Sequence, residues 1–228
     1  MKLGVSVPLK WALRSASRRG LVRTGKVAGS VVLDLSFDLR YGTETMRWVG
    51  VEDLGANSEH DVNAVSYRAT KARPLRKLIG KLDLPRDRAF VDLGSGKGRA
   101  LLLAARLGFQ KVVGVEFSPT LCAIARQNVK IFTRRTRVTA RIDVIESDVA
   151  LFNIQPEQCI FYAYNPFDGA VMERLVANLR DSLKRFPRRV WLLYSTPIHA
   201  TVIEKSELFS SAEEFEIGGV EFKVYKNF

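Results

Sequence analysis

Five strand-length runs, "AFVDLG", "KVVGVEF", "RIDVIESD", "CIFYAYN" and "RRVWLLYST", follow one another along residues 89–196. Most have no clean polar alternation, and helix-length stretches separate most of them. Strands of this kind are buried on both faces, and they belong to a parallel sheet whose crossovers are helices. The predicted helices are "GRALLLAARLG", "PTLCAIARQNVKIF" from Pro119, "GAVMERLVANLRDSLKRF" and a short one near "ATVIEKS". The last pair of strands differs. "EFEI" and "VEFKVY" alternate with period two and are joined by Gly218-Gly219, the signature of an antiparallel hairpin. The reading is therefore α/β: about five parallel strands and a reversed C-terminal strand, with no internal repeat.

Ahead of the first strand, "VNAVSYRATKARPLRKLIGKL" spaces Leu75, Leu78, Ile79 and Leu82 for a helix, with Pro74 near its start and Gly80 and Pro85 at its end. Residues 34–60 are polar and Gly-rich, and read as a segment with little regular structure that would suit a lid. Residues 1–33 hold Lys2, Lys10, Arg14, Arg18, Arg19, Arg23 and Lys26 and no acid, so +7 of the net +12 lies there. Such an arm suits RNA, an anionic membrane surface or an acidic protein partner, and it also has the composition of an organelle transit peptide. Equally, Trp11, Leu13, Leu21 and Val22 would let it dock as an amphipathic helix.

The chain shows no run of about 18 apolar residues, so no transmembrane segment is expected. Cys122 and Cys159 fall in apolar runs and read as small buried hydrophobes in a reducing, cytoplasmic setting. With His60 and His199 each isolated in sequence, no metal site is expected.

"VDLGSGKGR" directly follows the first strand and opens a helix. Its Gly94-x-Gly96-x-Gly98 spacing differs by one residue from the dinucleotide fingerprint. A glycine-rich turn here lets backbone approach a ligand closely. Asp92, two residues ahead of it, would repel a pyrophosphate and attract an ammonium or sulfonium ligand. Glu116 ends the second strand, where an acid can accept both hydroxyls of a ribose. Asp148, in "ESDVALF" after the third, is placed to accept from an adenine amino group. An acid or glycine turn at successive strand ends suits a cationic adenosine derivative. Helix capping, or pairing with Lys97 and Arg99, is the plainer role for Asp92 and Glu116, and their joint spacing argues against it.

On "FVDLGSGKGR", "GVEFS" and "ESDVALF" the chain resembles class I, Rossmann-like S-adenosylmethionine-dependent methyltransferases from about residue 67 onward. The resemblance implies a seven-stranded, mostly parallel sheet with a reversed C-terminal strand and helices on both faces. A basic arm and lid-like extension (residues 1–66) would precede a methyltransferase domain (67–228). It also implies that the loop Gly94, Ser95, Gly96, Lys97 and Gly98 wraps the methionine and ribose, that Asp92 lies near the methionine amine, and that Glu116 holds the ribose.

"YNPF" after the fourth strand resembles the (Asn/Asp/Ser)-Pro-Pro-(Tyr/Phe) motif of nitrogen methyltransferases, with one proline in place of two. Asn165 would accept N–H bonds from an acceptor amine after Pro166 sets the turn, and Phe167 would pack on the acceptor. A plain turn with a core aromatic is the alternative. The proton of the amine would go to solvent, Asp168 or Glu44. With "FDLRYGTET" and "YRAT", the chain is similar to non-SET-domain protein-lysine methyltransferases and their bacterial relatives. That likeness would turn Tyr41, Tyr67 and Thr70 toward the site, although the tyrosines also fit ordinary packing. A protein acceptor is favoured over RNA or a small molecule. A catalytically silent ligand-binding module is disfavoured by the intact acids and glycines. Arg126, Lys130 and Arg134 form a basic helical face that reads as solvated or, less favourably, as phosphate-tracking.

Overall fold

A computed structural model describes residues 36–46, 69–164 and 168–228. Seven strands form one sheet in the order β3-β2-β1-β4-β5-β7-β6. They are β1 Ala89–Leu93, β2 Lys111–Glu116, β3 Arg141–Glu146, β4 Gln158–Tyr164, β5 Trp191–Ser195, β6 Ser211–Ile217 and β7 Val220–Lys226. Strands β1 to β5 pair in parallel, whereas β7 runs antiparallel to both β5 and β6. The chain steps from β1 outward through β2 to β3, then returns to β4 on the other flank. The topological switch point therefore lies between β1 and β4, and open α/β sheets take their ligands at such a point, outside the strands' carboxyl ends. The expected sheet, including its reversed C-terminal strand, is the observed one.

Each strand's composition matches its place. Central β1 is buried along its whole length, while edge strand β3 is only half covered and carries the polar residues Arg141, Asp143 and Glu146. The β6–β7 turn puts Gly218 and Gly219 at φ 62° and 72°, a left-handed pair that only glycines adopt freely.

From residue 69 onward the described residues place five helices on the sheet: α1 Ala72–Lys81, α2 Arg99–Arg106, α3 Pro119–Thr136, α4 Gly169–Arg185 and α5 Ala200–Lys205. Helix α3 starts where Ser118 accepts from the Leu121 N–H and Pro119 takes the first position. The Asp168 carboxylate starts α4 in the same way, accepting from the Val171 N–H at 2.9 Å. One sheet face packs Phe90, Val112, Ile160 and Leu193 against Leu75, Leu78 and Ile79 of α1, Leu101 of α2 and Phe132 of α3. The other packs Val91, Val113, Phe161 and Leu192 against Met172, Leu175 and Leu179 of α4 and Ile203 of α5. Gly80 is the penultimate residue of α1, where a Cβ would meet nothing within 4 Å. Among the described residues no helix is long and apolar enough to cross a membrane.

One local expectation is corrected. Within the segment read as having little regular structure, residues 36–41 are helical. Phe37 is buried in the core, and Tyr41 meets Phe37 and Phe132 edge to face at 4.8 and 4.9 Å. The helix forms because this short stretch buries an aromatic side and returns its polar groups to the domain. Residues 1–35 and 47–68, which include the basic arm and Tyr67, lie outside the described residues.

Candidate active site

The loop after β1 is built by backbone. The N–H groups of Gly94 and Ser95 both donate to the Val115 carbonyl of β2, at 2.8 and 3.0 Å, and Gly98 N–H donates to Ser95. Gly94, Gly96 and Gly98 sit at φ 76°, 53° and 83°, so the tight turn needs a residue without Cβ at each. Gly98 then caps the N-terminus of α2. The close approach depends on a fourth glycine that sequence reasoning passed over. A Cβ at Gly114 of β2 would stand 2.7 Å from both Ser95 Oγ and Leu101 Cδ1. Gly114→Ala is accordingly expected to push the loop off the sheet, costing about 1–3 kcal/mol. A thermal melt would read this as a fall in Tm of roughly 2–10 °C.

Two buried acids flank this loop. Asp92 is 3% exposed, lies in register with Gly114 on one side and Tyr162 on the other, and shares their sheet face. Burial holds its carboxyl well above the usual range, and the Glu116 charge adds to the rise. Glu116 is equally buried, yet each of its oxygens already accepts one hydrogen bond and keeps a second lone pair. Oε2 accepts from the Gly96 N–H at 2.8 Å and Oε1 from the Ser118 N–H at 3.0 Å. Burial raises its pKa, while the N–H groups of Ser118, Gly96 and Phe117 pull it back. The two acids thus differ in kind: Glu116 is the knot tying the loop to the β2–α3 turn, and Asp92 is a desolvated carboxyl on β1 at the switch point. Ser95 Oγ is buried without a hydrogen-bond partner, an orphaned polar group at the heart of the loop.

Asp148 lies half-buried beyond β3, next to the β2 end, where Ser147 N–H donates to the Glu116 carbonyl. Its Oδ1 accepts from the Ala150 N–H at 2.8 Å, which fixes the turn. Phe117 and Leu151, 38% and 80% exposed, present apolar surface at the same rim and were missed as site candidates. Thr70 meets β4 through the Tyr162 hydroxyl, 3.4 Å from its Oγ1, and Ser195 of β5 also bonds that hydroxyl. Burial pushes the Tyr162 phenol up.

Lys97 and Arg99 are almost wholly buried, and both meet acids of residues 36–46. Lys97 Nζ lies 3.3 Å from Glu44 Oε1, and Arg99 lies 3.4 Å from Asp38 Oδ2 while donating to Thr45 Oγ1 at 2.6 Å. The Asp38 carboxylate further accepts from Thr43 Oγ1, Thr45 N, Thr45 Oγ1 and Met46 N. The lid-like segment is thus latched onto the glycine loop itself. Tyr41 takes its packing role, in the aromatic group with Phe37 and Phe132.

Asn165, Pro166 and Phe167 lie outside the described residues, flanked by Tyr164 at the end of β4 and by Asp168, the cap of α4. The neighbouring strand end leads into Thr196, a β-branched residue at φ 52°, and on to His199. The His199 ring lies beside the α4 start at Gly169, and the backbone N–H of His199 donates to the Tyr194 hydroxyl. Left-handed backbone at a β-branched residue is strained, and such strain clusters at functional rims. Cys122 and Cys159 are buried and free, and burial raises Cys122 to about 12.

Residues 57–146 match a family model described as histone methylation protein DOT1. No curated protein matches the chain. Among solved structures, TrmN from Thermus thermophilus is 20% identical, with a TM-score of 0.50 over 66% of this chain and 46% of that one. The chain therefore spans about half the length of TrmN. An RNA methyltransferase from Salinibacter ruber, in complex with S-adenosyl-L-homocysteine, is 20% identical at TM-score 0.52, covering 70% of this chain and 93% of that one. A putative O-methyltransferase from Nostoc punctiforme is 12% identical at TM-score 0.53, over 68% and 55%. The chain has the Rossmann-like fold of these methyltransferases.

Proposed function

We propose that the protein is an S-adenosylmethionine-dependent methyltransferase, and that its acceptor is a protein amine, most simply lysine. The observation that carries the first part is the pair of buried acids around the glycine loop at the switch point. A desolvated carboxyl such as Asp92 repels an anionic phosphate and gains from a cationic ligand. The residues fit S-adenosylmethionine. Gly94 to Gly98 and the unpartnered Ser95 hydroxyl would cradle its methionine and ribose, Asp92 would face its positive charge, and Glu116 would take the ribose hydroxyls. Asp148 would receive the adenine amino group, with Phe117 as a flat wall. Bound there, it supplies a methyl group on a positively charged sulfur.

What the chain itself adds is orientation and exclusion of water. Asn165 would accept the N–H of the acceptor amine and aim its lone pair, and Phe167 would pack on the alkyl stem. Asp168 is committed to capping α4 and Glu44 to covering Lys97. The proton therefore passes to solvent or to the His199 imidazole beside the α4 start. The resemblance to non-SET lysine methyltransferases, the DOT1 family match and the single-proline motif support a protein amine. RNA is the second reading, favoured by the exposed Arg126, Lys130 and Arg134 along α3.

A lysate incubated with radiolabelled S-adenosylmethionine separates the two. Label lost to protease and kept through RNase supports the protein acceptor, and the reverse pattern overturns it. In the same assay Asn165→Ala is expected to lower turnover by about a hundredfold with cofactor affinity unchanged, the mark of an interaction used in the transition state. Unchanged turnover would reduce "YNPF" to a turn.

A further inference from the structure

Asn128 sits in the middle of α3, 2% exposed, in a position where an amide is costly unless its polar atoms are satisfied. Its Oδ1 accepts from the Glu44 N–H at 2.8 Å, and its Nδ2 donates to the Glu44 carbonyl at 3.3 Å. The same Nδ2 donates to the Lys97 carbonyl at 3.0 Å. One planar side chain thus reads the backbone of residue 44 on both edges, as a neighbouring strand would, and joins it to the backbone of the glycine loop. Around this joint lie the Glu44–Lys97 pair, the Asp38–Arg99 pair and the Arg135 guanidinium, close enough to Gly42 that a Cβ there would clash with it. Backbone contacts hold a fixed register, whereas the flanking ion pairs tolerate some slip.

We infer that Asn128 is a positioning residue for the cofactor loop: it clamps residues 36–46 onto Lys97, so that the loop holds its ligand-binding shape only while that segment is docked. The inference rests on reading the Gly94–Gly98 loop as the S-adenosylmethionine site. It makes segment docking and cofactor binding one linked equilibrium, in which each favours the other by the same factor. The amide acts through the loop and meets no substrate, so its loss is felt in cofactor binding more than in the rate at saturation.

Limited trypsin cleavage at the exposed Arg40, followed by mass spectrometry, reads segment docking without any turnover. Full-length wild type, Asn128→Ala and Asn128→Asp are compared, with Gln127→Ala on the exposed side of α3 as control. The aspartate keeps the shape and the acceptor and loses both donors, which guards against a variant that merely misfolds. Both Asn128 variants are expected to be cut at Arg40 about tenfold faster than wild type and to bind S-adenosylmethionine about tenfold more weakly. KM for the cofactor rises with kcat within about twofold of wild type, and saturating cofactor slows the wild-type cut. Unchanged cleavage in both variants overturns the clamp, and faster cleavage with unchanged affinity overturns its link to the loop. If wild type itself fails to bind S-adenosylmethionine, the proposed function is refuted, and the clamp's claim on the cofactor falls with it. Binding that is equal in wild type and both variants leaves the proposed function standing and refutes only the clamp's link to the loop.

Discussion

Asp92→Asn is expected to make the ligand-free protein more stable while weakening S-adenosylmethionine binding by about ten- to hundredfold. The binding loss follows from removing a charged partner, an interaction typically worth about 1.5–3 kcal/mol. The gain follows from the raised pKa of the Asp92 carboxyl, caused first by burial and then by Glu116. Below the ordinary aspartate range the native and unfolded chains both hold the proton, and no penalty exists. As pH rises from that range to the raised native value, the unfolded chain ionises first, so native stability falls. Asparagine is neutral throughout and removes that slope. Melting curves from acidic to neutral pH should therefore converge for the two proteins at low pH and separate, with the variant higher, as pH rises. For the same reason a cationic ligand drives a proton off Asp92, so affinity in wild type rises with pH across that interval. Parallel melting curves would mean that Asp92 is ionised and paired in the native state.

Glu116→Ala is expected to move stability the other way, by about 2–4 kcal/mol of loss, with binding weakened by a similar ten- to hundredfold factor. The deleted carboxylate accepts two buried N–H groups, those of Gly96 and Ser118. Each is left without a partner at a cost of about 1–3 kcal/mol. Glu116→Gln separates the two roles, because its amide oxygen still accepts from one N–H while the charge is gone. Chemical denaturation should rank stability as Asp92→Asn above wild type above Glu116→Gln above Glu116→Ala. Two acids on adjacent strands thus predict opposite signs, which a general loss of folding cannot imitate.

The sheet was legible because its strands announce themselves. "AFVDL" and "CIFYAY" have no polar face, so they need cover on both sides, and Gly218-Gly219 allows one kind of turn. The acids were legible from their places at strand ends. The latch was not. Asn128 reaches Glu44 across 84 positions and Arg99 reaches Thr45 across 54, and no local period records such pairs. "FDLRYGTET" read as a lid-like segment with little regular structure because its polar residues carry no sign of being spent on buried partners. One signal was present: Lys97 lies in the glycine loop and Arg99 opens the helix directly behind it, and buried cations require counter-charges from somewhere. Gly114 was hidden for a related reason, since a glycine in a buried strand marks close backbone approach only once its neighbour is known.

Calorimetric titration of the wild-type protein with S-adenosylmethionine, repeated in two buffers of different ionisation enthalpy, tests the reading of the site at its root. A single site of about micromolar affinity is expected, with net proton release on binding at pH values between the ordinary aspartate range and the raised native value of Asp92, and loss of that release in Asp92→Asn. Absence of binding at millimolar ligand, or binding that leaves the proton balance the same in wild type and Asp92→Asn, would contradict it.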